Sequence, residues 1–270
     1  MKKELPVLKI DATEYLVDVD YGLLREKADP EKVIGMGELK DVGSHYLLDI
    51  PGQTRVAIPY MVELDPDGVS KKYGIQVKEL PKTDGELKCN RQWLADRLQG
   101  KLPTIELEGH TFFVDLHLGF LRPKDDFSTM GLELNRLPLN KSGTGFQFLY
   151  DPKSHTEVIY DENWTEIPKG IMAMEIPGEF TLDPVGTIMK YSNTLDKKYP
   201  FGNRAEALDL YEKSIGFREF LDRYPVRYNM KARVISWERT IIPEQVAHNK
   251  QKRKVQVFRQ KSGKSKGRRV

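Results

Sequence analysis

The chain has 270 residues, 39% of them apolar, with 43 Lys and Arg against 40 Asp and Glu and a formal net charge of +3. That length permits one large or two medium domains, and 12 Tyr, 11 Phe and 3 Trp can fill their cores. A single cysteine, Cys89, excludes an intrachain disulfide, and neither a long apolar run nor a signal-peptide start is present, so a cytoplasmic protein without a membrane partner is expected.

From the N-terminus, residues 5–25 read LPVLKIDATEYLVDVDYGLLR and residues 102–122 read LPTIELEGHTFFVDLHLGFLR. At an offset of 97, seven of these 21 positions are identical, among them Val17/Val114, Asp18/Asp115, Gly22/Gly119 and Arg25/Arg122. Composition alone gives about one or two matches. LDPDGVSKKY (64–73) is echoed by LDPVGTIMKY (182–191), with six of ten identical. The same order of blocks in both halves is the signature of a tandem duplication.

Each half opens with a β-hairpin. Tyr15, Val17 and Val19 share one strand face by period-two alternation, and Phe112, Val114 and Leu116 keep the same phase. Asp11-Ala12 and Glu108-Gly109 are the turns, and Gly22 and Gly119 end the hairpins. A second β pair is expected over 46–58 and, loosely matched, over 146–159. The offset then grows to 118, which places an insertion of 21 residues in loops and around Trp164.

The LDPxGxxxKY block predicts a short helix. Asp65 and Asp183 are N-caps, Pro66 and Pro184 take the first helical position, Leu64 and Val69 have staple spacing, Lys72 and Lys190 suit the C-terminal end of the dipole, and Gly74 stops the first copy. Asn90 caps a helix over RQWLADRLQ that ends at Gly100, and Asn203, with Glu206 completing a capping box, opens another. Its stripe of Leu208, Tyr211 and Ile215 continues through Phe217, Leu221 and Tyr224 to Pro225. Residues 226–234 then alternate as one strand, with Val226, Tyr228, Met230, Ala232 and Val234 on one side and Arg227, Asn229, Lys231 and Arg233 on a basic outer side.

After Pro243 the chain turns polar and basic and is expected to be disordered when free. Residues 250–270 hold ten Lys and Arg and no acid, which leaves the remainder with 33 basic and 40 acidic residues, a net of −7. The expected class is α+β: a tandem duplication of a small antiparallel β unit with a capped helix, plus a C-terminal helix, strand and basic tail. The boundaries are 1–100 for the first unit with its linking helix, 101–202 for the second, 203–243 for the helix and basic strand, and 244–270 for the tail.

Chemistry-bearing residues favour structural roles. The capping Asp of each LDPxGxxxKY block uses the N–H groups that would otherwise meet an anion. His110 and His117, seven apart on a strand, point to opposite faces and do not make a metal site. Asp18 with Arg25, and Asp115 with Arg122, read as a salt bridge in each unit. Cys89 lacks a partner motif, and no GxGxxG, Walker A, HExxH or GxSxG run occurs, so no catalytic residue, metal or cofactor is assigned.

The paired motif, the Leu-Pro starts and the basic tail resemble an uncharacterised family of bacterial hypothetical proteins of the kind that accompanies mobile elements. The resemblance covers most of the chain and supplies neither an activity nor site residues. The expected function is non-enzymatic, sequence-nonspecific contact with nucleic acid. Its expected residues are Lys250, Lys252, Arg253, Lys254, Arg259, Lys261, Lys264, Lys266, Arg268 and Arg269 of the tail, with Arg227, Lys231 and Arg233 of the strand. Phe258 is available to stack on a base. The alternative is a protein–protein adaptor with paired β surfaces and a tail that docks an acidic partner; the third is an enzyme of unrecognised type.

Overall fold

The computed structural model describes residues 5–49, 55–125, 129–191 and 213–264, the last ten of these as backbone only. The fold is α+β. In the first unit β1 (Val7–Ile10), β2 (Thr13–Asp18), β3 (Leu23–Glu26) and β4 (Val33–Gly35) form an antiparallel meander. A second sheet of β5 (Lys40–Asp41), β6 (Tyr46–Leu48) and β7 (Val56–Ile58) leads into α1 (Met61–Leu64) and α2 (Pro66–Tyr73). Helix α3 (Arg91–Leu98) follows, with the Asn90 side chain accepting from the N–H groups of Gln92 and Trp93 and Gly100 ending it at φ 91°.

The second unit repeats this order. Strands β8 (Thr104–Leu107), β9 (His110–Asp115), β10 (Phe120–Pro123) and β11 (Leu132–Glu133) form the meander. Strands β12 (Gly145–Asp151), β13 (Thr156–Val158) and β14 (Met172–Pro177) precede α4 (Glu179–Leu182) and α5 (Pro184–Tyr191). The registers correspond: Val17 lies opposite Leu24 and Val114 opposite Leu121. The N–H of Val17 donates to the Pro6 carbonyl (2.8 Å) and that of Val114 to the Pro103 carbonyl (2.9 Å). Gly22 and Gly119 take φ of 67° and 72° in the turns after β2 and β9, a region closed to most side chains.

The motif helices are capped as the sequence predicts. Gly68 N–H donates to Asp65 Oδ1 and Gly186 N–H to Asp183 Oδ1, each at 3.0 Å. A Cβ at Gly68 or Gly186 would collide with that capping carboxylate, which explains the glycine in LDPxG. Gly74 ends α2 in the left-handed region. The insertion is more local than the sequence suggests. The counterpart of β7, the strand that enters the helices, is β14 rather than β13; β13 and the stretch beyond it are an added arm on the outer side of β12.

Each unit has its own core, with Val17, Leu24, Ile58 and Val69 buried in one and Phe112, Val114, Leu121 and Tyr150 in the other. Each such side chain contributes about 1.5–3 kcal/mol relative to exposure. Leu94, Val185, Leu221 and Val226 make a third cluster that joins α3, α5 and the C-terminal part.

Three C-terminal expectations change. Helix α6 (Ile215–Arg223) starts on its own Ser214 cap, and Ile215 is exposed. Asn203, Glu206, Leu208 and Tyr211 lie outside the described residues. The stretch 226–234 is not one strand but a strap: β15 (Met230–Lys231) pairs parallel with β8, and β16 (Arg233–Ile235) pairs antiparallel with β14. Finally, the expected disordered tail is helical as far as it is described, in α7 (Ile242–Lys264). Pro243 sits in its first turn, where a missing N–H is harmless, and Ala, Gln, Lys and Arg are good helix formers. Among the described residues no helix is long and apolar enough to cross a membrane.

Candidate functional site

The basic residues assigned to nucleic acid part into two groups. In the strap, Arg227 is buried and its Nη2 donates to Asp20 Oδ1 at 2.7 Å. Arg233 donates through both terminal nitrogens to Asp18. Lys231 is exposed and pairs with Glu106 at 3.0 Å. The expected basic outer face is therefore corrected. Alternation identified the polar side of this segment, but its two arginines meet the first unit, whose Asp18 and Asp20 neutralise them.

Asp18 is the centre of a buried network. Arg25 Nε donates to it at 2.7 Å, and Arg25 Nη1 reaches Glu175 of β14 at 3.3 Å. Asn140 donates to Glu175 at 3.0 Å. Burial pushes the Asp18 carboxyl up, but Arg233 and Arg25 outweigh burial and hold it below its ordinary value. The Arg25 and Arg233 guanidinium groups both lie over the Tyr21 ring, 4.8 and 4.7 Å from its centroid.

The C-terminal helix differs. Ile242 and Val246 are buried against Leu149, Ala173 and Ile235. Asn249 Nδ2 donates to the carbonyls of Glu162 (2.6 Å) and Trp164 (2.8 Å). Beyond that anchor Lys250, Lys252, Arg253 and Lys254 are all exposed. Arg259, Lys261 and Lys264 continue the same helix as backbone positions, and Lys266, Arg268 and Arg269 lie outside the described residues. At 100° per residue, positions 250, 253, 254, 261 and 264 fall on one face. The last acid of the chain is Glu244.

A second candidate is the space between the units, a cleft of about 1190 Å³. The Lys-Tyr ends of both motif blocks line it, Lys72 and Tyr73 from one side and Lys190 and Tyr191 from the other. Lys190 pairs with Glu179 at 2.6 Å. Lys72 is buried and donates instead to the Val19 carbonyl at 2.8 Å, which replaces the expected dipole role at the end of α2. Burial raises the Asp84 carboxyl above its ordinary value, although it accepts from Met61 N–H, Val62 N–H and the Tyr46 hydroxyl.

Asp115 and Arg122 form the expected salt bridge at 2.8 Å. Cys89 is buried, and burial pushes its thiol to about 12, which leaves little thiolate near neutral pH. His110 of β9 stacks on His155 in the turn between β12 and β13, ring centroids 3.8 Å apart, a contact that the hairpin pattern did not signal. Among the described residues no group of three His, Cys, Asp or Glu is arranged to hold a metal ion. No protein-family model, curated protein or solved structure matches the chain.

Proposed function

We propose that the chain is a duplicated α+β body carrying a C-terminal basic helix that binds nucleic acid without sequence preference. The observation that carries this reading is the charge step at Asn249: anchored helix before it, exposed cations and no acid after it. A helix with this charge suits a phosphate backbone, because each Lys or Arg that meets a phosphate releases a counterion. The rest of the chain, at net −7, repels phosphate, and the strap arginines are spent inside the fold. The contact is assigned to residues 250–270 alone.

Truncation after Asn249 tests it, since Ile242 and Val246 keep their place in the core. The full chain is expected to bind fluorescent duplex DNA of any sequence, with log K falling against log salt at a slope of about −4 to −5 for about five phosphates. The truncated chain is expected to lose most of that binding while unfolding at the same denaturant concentration. Equal binding by both forms moves the contact off residues 250–270, and none by either at low salt ends the nucleic-acid reading. The second outcome transfers the helix to an acidic protein partner.

A further inference from the structure

The two motif lysines offer a chemical contrast that the basic helix does not explain. Lys190 is ion-paired with Glu179. Lys72, 8% exposed, also lines the cleft but forms no ion pair among the described residues, and the Val19 carbonyl is its one hydrogen-bond partner there. The Tyr21 hydroxyl is buried and finds no hydrogen-bond partner among the described residues, and Tyr21 lines the same cleft. Met36, Met61, Leu134, Leu137 and Phe146 supply an apolar lining. A buried amine without an ion pair, in a cleft that also carries an unsatisfied tyrosine hydroxyl and apolar side chains, matches a ligand with an electrophilic carbon, an acceptor oxygen and an apolar body.

We propose that Lys72 is a reactive amine that forms an imine with small apolar aldehydes or ketones entering the cleft. The neutral amine attacks the carbonyl carbon, a C–N bond forms, and the C=O electron pair moves to oxygen, which takes up one of the two amine protons. The resulting carbinolamine passes its N–H proton to its own hydroxyl and expels water, leaving C=N, so amine and carbonyl give imine and one water. The groups around Lys72 favour the neutral amine: burial first, then the Arg227 guanidinium of the strap, against Asp20, Asp18 and Asp84, together bring it down to about 8. At pH 8 about half of such an amine is neutral, against under ~1% for an ordinary lysine of pKa ~10.4.

The test uses the full chain, benzaldehyde and sodium cyanoborohydride at pH 8. The reductant delivers hydride to the C=N carbon and fixes the adduct as a benzyl amine, which peptide mass spectrometry locates. Lys72 is expected to be benzylated about 10-fold faster than Lys190 and than the exposed Lys153 of the same molecules. Lys72→Arg keeps a cationic donor for the Val19 carbonyl; it is expected to retain the unfolding midpoint and to lose the fast adduct. Labelling of Lys72 at or below the rate of Lys153, or a fast phase that persists in Lys72→Arg, overturns the proposal and leaves Lys72 as a strut between α2 and the turn after β2. Because no nucleic acid is involved, the result is independent of the reading of the C-terminal helix.

Discussion

In the first unit Asp18 is fully buried and shared by Arg25 and Arg233, whereas its counterpart Asp115 in the second unit meets Arg122, whose side chain is 44% exposed. The two pairs have the same residues, the same spacing and nearly the same distance, 2.7 and 2.8 Å. What differs is the cover. The strap and β14 close over the first pair, and water screens the second. One local motif therefore serves as an interior joint in one unit and as a surface pair in the other, and the contrast should be measurable as stability.

The largest difference is expected at these aspartates. Asp18→Ala removes the buried carboxylate that Arg25 and Arg233 share and should cost about 3–5 kcal/mol in urea unfolding. Asp115→Ala should cost about 1 kcal/mol. Equal losses would show that burial does not separate the units. The same carboxylate sets the response to acid. Its folded pKa is lowered, so the stability it provides is present above the ordinary Asp value of ~3.9 and is lost as pH falls through the lower, folded value. Moving from pH 7 to pH 3 should thus destabilise the native chain more than Asp18→Asn, compared by urea midpoints; a parallel loss in both would remove Asp18 from the account.

A smaller effect is expected at the helix caps. Asp183 caps α5 and is also gripped by Arg97, Nε at 3.0 Å from both oxygens and Nη2 at 2.8 Å from one. Asp183→Ala should therefore cost about 3 kcal/mol, and Asp65→Ala, where the cap acts without an arginine clamp, about 1 kcal/mol. Unfolding midpoints in one buffer compare them directly, and a larger loss at Asp65 would reverse the ranking.

Much of each unit was legible because its determinants are local. An Asp three residues before a Gly, a two-residue turn and a period-two strand are read within a few positions. The corrected assignments have distant causes. Arg227 and Arg233 look like a solvated basic face until Asp20 and Asp18, 207 and 215 residues earlier, are placed against them. Lys72 looks like a dipole-compensating lysine until the turn at Val19, 53 residues away, covers it. The arm containing β13 was hidden because the stretch around it alternates like the pair it displaces. The helix over 250–264 was missed for another reason: composition reports solubility, whereas helix propensity depends on the absence of breakers between Pro243 and Gly263.

The strap carries a consequence for how the chain is made. Arg233 meets Asp18 across 215 residues, so a ribosome completes both units before the arginine that shares the buried carboxylate emerges. The N-terminal half must wait with Asp18 facing water or Arg25 alone. Vectorial folding, in which each part sets as it leaves the exit tunnel, is thereby replaced by a late closure that locks both halves together. A nascent chain stalled before residue 226 should accordingly be far more open to protease than the released protein, although all the strands of both meanders have already been synthesised.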